Sequence, residues 1–222
     1  MKREAEEGGG RGLGAVAMSD LKIEIARRQL GMATELYLRD LDPVSVHSLA
    51  NAGCELIEFY ARKLSGKALL SDFAQLAHNT DIAKLKRLQR EYWTAFKHAT
   101  TQDKPKKPAK ERDDEDFLKQ FTDEKNDLAL VIGWSDYYRA TGKMPIEAQA
   151  QQLWFFALHP EKHGNPELSR LSAIAFPDIR SKSRADQKGL MNGWIKRARA
   201  DTATMSHPMT EQRPLVTDWP LG

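Results

Sequence analysis

A single cysteine, Cys54, stands among 222 residues, so no disulfide can form within the chain. A reducing compartment, the cytoplasm, is the expected location. Long apolar runs are missing as well. The stretch "LWFFAL" at 153–158 is far shorter than the roughly 20 residues of a membrane-crossing helix, and no membrane partner is expected. There are no alternating runs joined by hairpin turns, so strands are not expected. HExxH, paired-cysteine motifs, the Glu-x-x-His pairs of di-iron bundles, GxSxG, a P-loop and a strand-linked GxGxxG are all absent. No cofactor and no metal centre are therefore expected. Neither sign of charge dominates: 34 Lys and Arg face 31 Asp and Glu, a net +3 that says little about partners unless the charges cluster.

What is present is helical periodicity. A first helix is expected over 19–39, with Ser19 as its N-cap and Ala26, Leu30, Ala33 and Tyr37 forming one apolar stripe. Asp42 and Pro43 open a second helix, which runs to Leu64 and stops at Ser65 and Gly66. Its core face is read as Val46, Leu49, Gly53, Ile57, Tyr60 and Leu64. The short gap between these helices implies an antiparallel hairpin. A short helix is expected at 71–77. A third long helix follows to about Ala99, with Leu85, Leu88, Tyr92 and Phe96 turned inward. A fourth covers about 122–140 with Gly142 as its stop, and a fifth runs from Pro145 to the His159–Pro160 step. The expected fold is all-α, an up-down bundle of four to five antiparallel helices over 19–162.

Three stretches fall outside that bundle. Residues 1–18 are glycine-rich, lack a convincing signal-peptide pattern and are expected to be a disordered extension, with Met18 a plausible natural start. Residues 100–115 read as a flexible linker, basic at "KPKKPAK" and acidic at "DDED". Residues 163–222 read as a weakly helical, basic, polar tail. From 180 onward the tail holds eight Lys and Arg against four Asp and Glu, mostly on one helical stretch at 184–200.

Two groups of residues could carry function. At the end of the third helix, Lys97 and His98 lie on or near a polar side shared by Lys84, Arg87, Glu91 and Thr94. A positively charged helix end is favoured there by the helix dipole. A catalytic use would need a partner within about 3 Å, and Arg90 is the nearest arginine upstream. On the second helix His47, Asn51, Cys54, Glu58 and Arg62 form a stripe beside the apolar face. That stripe is either a polar border or a ligand site built on His47, Asn51 and Glu58. Cys54, amid aliphatics, reads as packing.

The segments "DPVSVHSLANAGCELI" and "FKHA", with "WFFALHPEK" further on, resemble a group of uncharacterised bacterial helical proteins that in turn resembles the HEPN superfamily. The resemblance covers about 20–162. It implies an up-down helical bundle. It also implies two functions, since many members are metal-independent ribonucleases of toxin and defence systems and others are inactive binding modules. The ribonuclease motif is an Arg followed after four to six residues by a His, with two copies meeting across a dimer. Here the positions ahead of His98 hold Glu91, Tyr92 and Trp93, and Arg90 lies one residue too far.

The leading expectation is thus an intracellular HEPN-like interaction or regulatory module without catalysis of its own, working as a homodimer. The first alternative is a ribonuclease using His98 with Arg90 or Lys97. The second is a ligand- or metal-binding bundle centred on His47 and Glu58. A protein partner, or RNA held by the basic linker and tail, are the contacts that the charge pattern admits.

Overall fold

The computed structural model describes residues 13–76, 81–101, 110–162 and 165–218. Within them the chain is all-α, with ten α-helices and four strands of two residues each. None of these helices is long and apolar enough to cross a membrane.

Helix α1 spans Leu13–Leu38. Its stripe of Ala26, Leu30, Ala33 and Tyr37 is fully buried, as its spacing predicts. The helix begins ahead of Ser19 because "LGAVAM" offers mostly good helix formers, so the segment expected to be disordered is helical from Leu13. The rest of that segment, 1–12, lies outside the described residues.

Helix α2 spans Pro43–Ser65. The Asp42 carboxylate accepts from the Val44 and Ser45 amides, and Gly66 ends the helix in a left-handed conformation at φ 83°. Helix α3 covers Leu69–Leu76, and α4 covers Ile82–Lys97, capped by Asp81. Helix α6, Lys125–Thr141, packs with α1 on the two sides of α2, and these contacts form the centre of the molecule.

That arrangement corrects the expected face of α2. Leu64 is 56% exposed, whereas His47, Ala50, Asn51, Cys54, Glu58 and Ala61 are buried. A helix covered by two neighbours buries more than one stripe, and the polar flank of α2 is the part turned toward further helices. Helix α6 is buried almost all round, from Asn126 to Tyr137 apart from Leu128. Gly133 permits its close approach: a Cβ there would overlap the Leu30 side chain and meet Cys54 Sγ. Helix α7, Ile146–Leu158, adds Trp154, Phe155 and Phe156 to the core.

The expected linker is structured where it is described. Strand β1, Thr100–Thr101, pairs antiparallel with β2, Lys110–Glu111, and helix α5 follows at Glu115–Leu118. Its middle, 102–109, with most of the lysine run, lies outside the described residues.

The largest correction concerns the expected tail. Helices α8, Pro166–Ala175, α9, Arg184–Ala200, and α10, Thr202–Ser206, continue the fold. Strand β3, Met144–Pro145, pairs parallel with β4, Thr210–Glu211. The physical reason is charge pairing with the bundle. Arg27 of α1 is fully buried and donates to Glu211 Oε1 at 2.8 Å, to the Leu215 carbonyl at 3.0 Å and to the Pro214 carbonyl at 2.7 Å. Arg199 pairs with the buried Glu147 of α7. Lys188, only 4% exposed, bridges Asp40 at 2.6 Å and Asp123 at 2.9 Å. Arg184, Lys188 and Arg199 of the expected tail are thus ties to acids in the bundle.

Candidate functional site

His98 ends α4 as its C-cap, exposed, with its backbone amide bonded to the Thr94 carbonyl. Lys97 folds back over the Trp93 ring, its Nζ 3.5 Å from the ring centre. Arg90 turns toward α2 instead, 3.1 Å from Glu58 Oε2 and 3.7 Å from Glu55. The three residues are thus not brought together within one chain. Lys86 and Arg87 join Arg90, Glu91, Thr94 and Arg112 along an open groove of about 510 Å³, which neither Lys97 nor His98 lines. Lys86 and Arg90 are tied to Glu58 and Arg112 to Asp114, so most of the groove's cations are already compensated.

The stripe on α2 is divided in the same way. His47 Nδ1 lies 2.9 Å from Asn126 Oδ1, and Asn126 Nδ2 donates to the Pro43 carbonyl. That polarity makes Nδ1 the protonated nitrogen. The buried Nε2 has no hydrogen-bond partner and is surrounded by the rings of Tyr92, Phe96 and Phe121, whose centres lie 5.2–6.2 Å from the imidazole. Burial lowers the pKa of His47, and the Asn126 contact opposes that only in part. Asn51 spends its amide on the His47 carbonyl at 2.9 Å. Cys54 donates to the Ala129 carbonyl, and burial pushes its thiol pKa up, which leaves it inert. Glu58 meets Arg62, Lys86 and Arg90 together. His47, Cys54 and Glu58 each face a different neighbour, and among the described residues no group of three or more His, Cys, Asp or Glu is placed to hold a metal ion. Beneath them Asp136 is fully buried, accepts from the Leu69 amide at 2.7 Å, and is pushed up to about 6 by burial.

A different place has the form of a binding site. A cleft of about 490 Å³ opens between the start of α6, the end of α7 and the start of α9, with Phe155, Leu128 and Leu158 among its lining. Lys125, Lys162, Arg180 and Arg184 supply four cations to that lining against two acids, Glu124 and Asp127. Arg184 forms the inner wall. It binds Asp123 at 2.7 Å and Asp127 at 2.5 Å, and donates to Tyr37 Oη at 3.0 Å, while the Tyr37 hydroxyl donates to Asp127. Burial raises the pKa of Asp127 despite that arginine.

His159 stands at the other wall, its ring 4.8 Å from that of Phe155 and its Nδ1 3.5 Å from Glu161. Burial lowers its pKa, and Lys162 adds to the shift. Lys162 lies over the Phe155 ring at 5.5 Å and Lys125 over the Tyr92 ring at 5.8 Å, neither within 4.0 Å of a carboxylate among the described residues. In the sequence His159 marks only a helix stop, and no local pattern singles out Lys125, Lys162 or Arg180. The turn that Pro160 imposes just after α7 is the signal that could have found His159 and Lys162 together.

No family model, no curated protein and no solved structure matches the chain.

Proposed function

We propose that the protein is a HEPN-like helical interaction or regulatory module of the cytoplasm, its helices arranged up and down, acting as a homodimer without catalysis of its own. One observation carries the reading: the Arg90 guanidinium is engaged by Glu58 and Glu55, while His98 stands exposed at the end of α4. RNA cleavage needs a group that moves protons and a cation beside the developing charge. In one chain the cation nearest His98 in sequence, Lys97, is folded onto Trp93. A partner protein, or RNA held through the basic linker and tail, is what such a module would hold.

Incubation of the purified full chain with single-stranded RNA tests the reading, and intact RNA is the expected result. Cleavage that disappears in His98→Ala, with the helical circular-dichroism spectrum retained, would replace it with the ribonuclease reading. Light scattering at micromolar concentration should report a dimer. A monomer alone would remove the dimeric part.

A further inference from the structure

The geometry points to a binding site for a small phosphorylated molecule in the cleft between α6, α7 and α9, independent of any function at His98. The cleft falls in the size range of small-molecule sites, about 300–1,000 Å³, and its volume of about 490 Å³ would accept a ligand of nucleotide size. Its lining is more polar than that of most such sites, with Phe155, Leu128 and Leu158 set among eight polar or charged side chains.

The charges specify an anion. Arg184 and Arg180 lie beside Asp123, Asp127 and Glu161, which leaves Lys125 and Lys162 as two lining cations with no carboxylate within 4.0 Å among the described residues, matching the charge of about −1.5 to −2 that a phosphate monoester carries at neutral pH. Arg184 is already compensated by Asp123 and Asp127 and serves as a fixed wall. Arg180 is only loosely engaged, its Nη2 3.6 Å from Glu161, while its Nε anchors to the Leu158 carbonyl at 3.0 Å. Lys125 and Lys162 contact ring faces rather than carboxylates, so an incoming anion would not have to displace a carboxylate from either lysine. A carboxylate ligand, with a single charge, would neutralise only one of these two lysines. The groove along α4 is the weaker anion site, because Glu58 and Asp114 already pair with three of its four cations.

His159 provides an internal reporter. Its imidazolium is disfavoured by burial and by the neighbouring Lys162. A phosphate bound among Lys125, Lys162 and Arg180 would offset that repulsion and raise the pKa of the ring.

The test titrates the full chain with adenosine monophosphate, inorganic phosphate, acetate and a short single-stranded RNA. Calorimetry measures affinity, and the His159 ring proton resonance, assigned with His159→Gln, is followed against pH. Adenosine monophosphate and phosphate should bind saturably and move the His159 titration to higher pH, and acetate should do so at least tenfold more weakly. Lys125→Gln and Lys162→Gln should each weaken phosphate binding about tenfold, as for loss of one charge-assisted contact. Both lysines contribute surface side chains, and circular dichroism checks that the variants fold. The inference is overturned if acetate binds as well as phosphate, if no probe binds, or if neither lysine variant alters affinity. It is also overturned if RNA alone binds and His159 does not respond.

Discussion

Helices α4 and α9 exchange the roles that their sequences suggest. Helix α4 has a well-marked apolar stripe, yet Trp93 is its one buried residue, and Leu88 is 53% exposed. Helix α9 is strongly basic, yet it buries Lys188, Met191, Ile195 and Ala198. The difference lies in what each helix meets. Helix α4 packs at the edge, against α2 and the short α3, and much of its polar side faces water. Helix α9 crosses bundle positions where Asp40, Asp123, Asp127 and Glu147 await cations. An amphipathic pattern reports that a helix has an apolar face, and only its neighbours decide how much of that face is covered.

The strongest way to break this contrast is to cut the C-terminal ties. Arg27→Ala leaves Glu211 partly unpaired in a buried setting and should cost about 3–5 kcal/mol in urea unfolding. A loss below about 1 kcal/mol would make the C-terminal segment an appendage rather than part of the fold. The next test sets the two helices side by side. Met191→Ala on α9 removes a side chain with no exposure and should cost about 2–5 kcal/mol. Leu88→Ala on α4 should stay within about 0.5 kcal/mol. Equal losses would erase the distinction.

Acid dependence sharpens the comparison at the buried side of α2. His47 has a lowered pKa, so below its ordinary value of 6.5 the unfolded chain takes up a proton that the folded chain resists. Its contribution therefore weakens stability as pH falls. Asp136 acts in the opposite sense. Between its ordinary 3.8 and about 6 the folded chain keeps a proton that the unfolded chain has lost, so stability declines as pH rises through that window. His47→Gln should flatten the rise of stability with pH, and Asp136→Asn should steepen it between about pH 4 and 6. Urea midpoints across that range check both signs, and a change in the same direction for the two variants would refute the assignments. The smallest effect belongs to His98→Ala, which should leave stability within about 0.5 kcal/mol of the parent.

The elements that local chemistry punctuates were legible in the sequence. Asp42 with Pro43, Gly66 and Gly142 mark helix ends at the places where the structure has them. The α1 stripe is buried residue for residue. The stretch at 184–200 coincides with α9. What could not be read were the partners of polar side chains. Nothing local to α2 says that His47 will face Asn126, 79 positions away, or that Glu58 will gather Arg90 from α4. The cleft was invisible for the same reason. Lys125, Lys162 and Arg180 belong to three separate segments, and each looks like an ordinary surface cation until the fold brings them to one opening.

The bond between Arg27 and Glu211 also sets an order of events during synthesis. The two residues are separated by 184 positions. At roughly 5–20 residues per second, the ribosome delivers Glu211 on the order of 10–40 seconds after Arg27. Throughout that interval α1 carries a guanidinium meant for a dry interior with no carboxylate to receive it. The nascent chain therefore has to hold α1 loosely, or keep that face wet, until Glu211 emerges, and residues made long after α1 are those that allow it to settle.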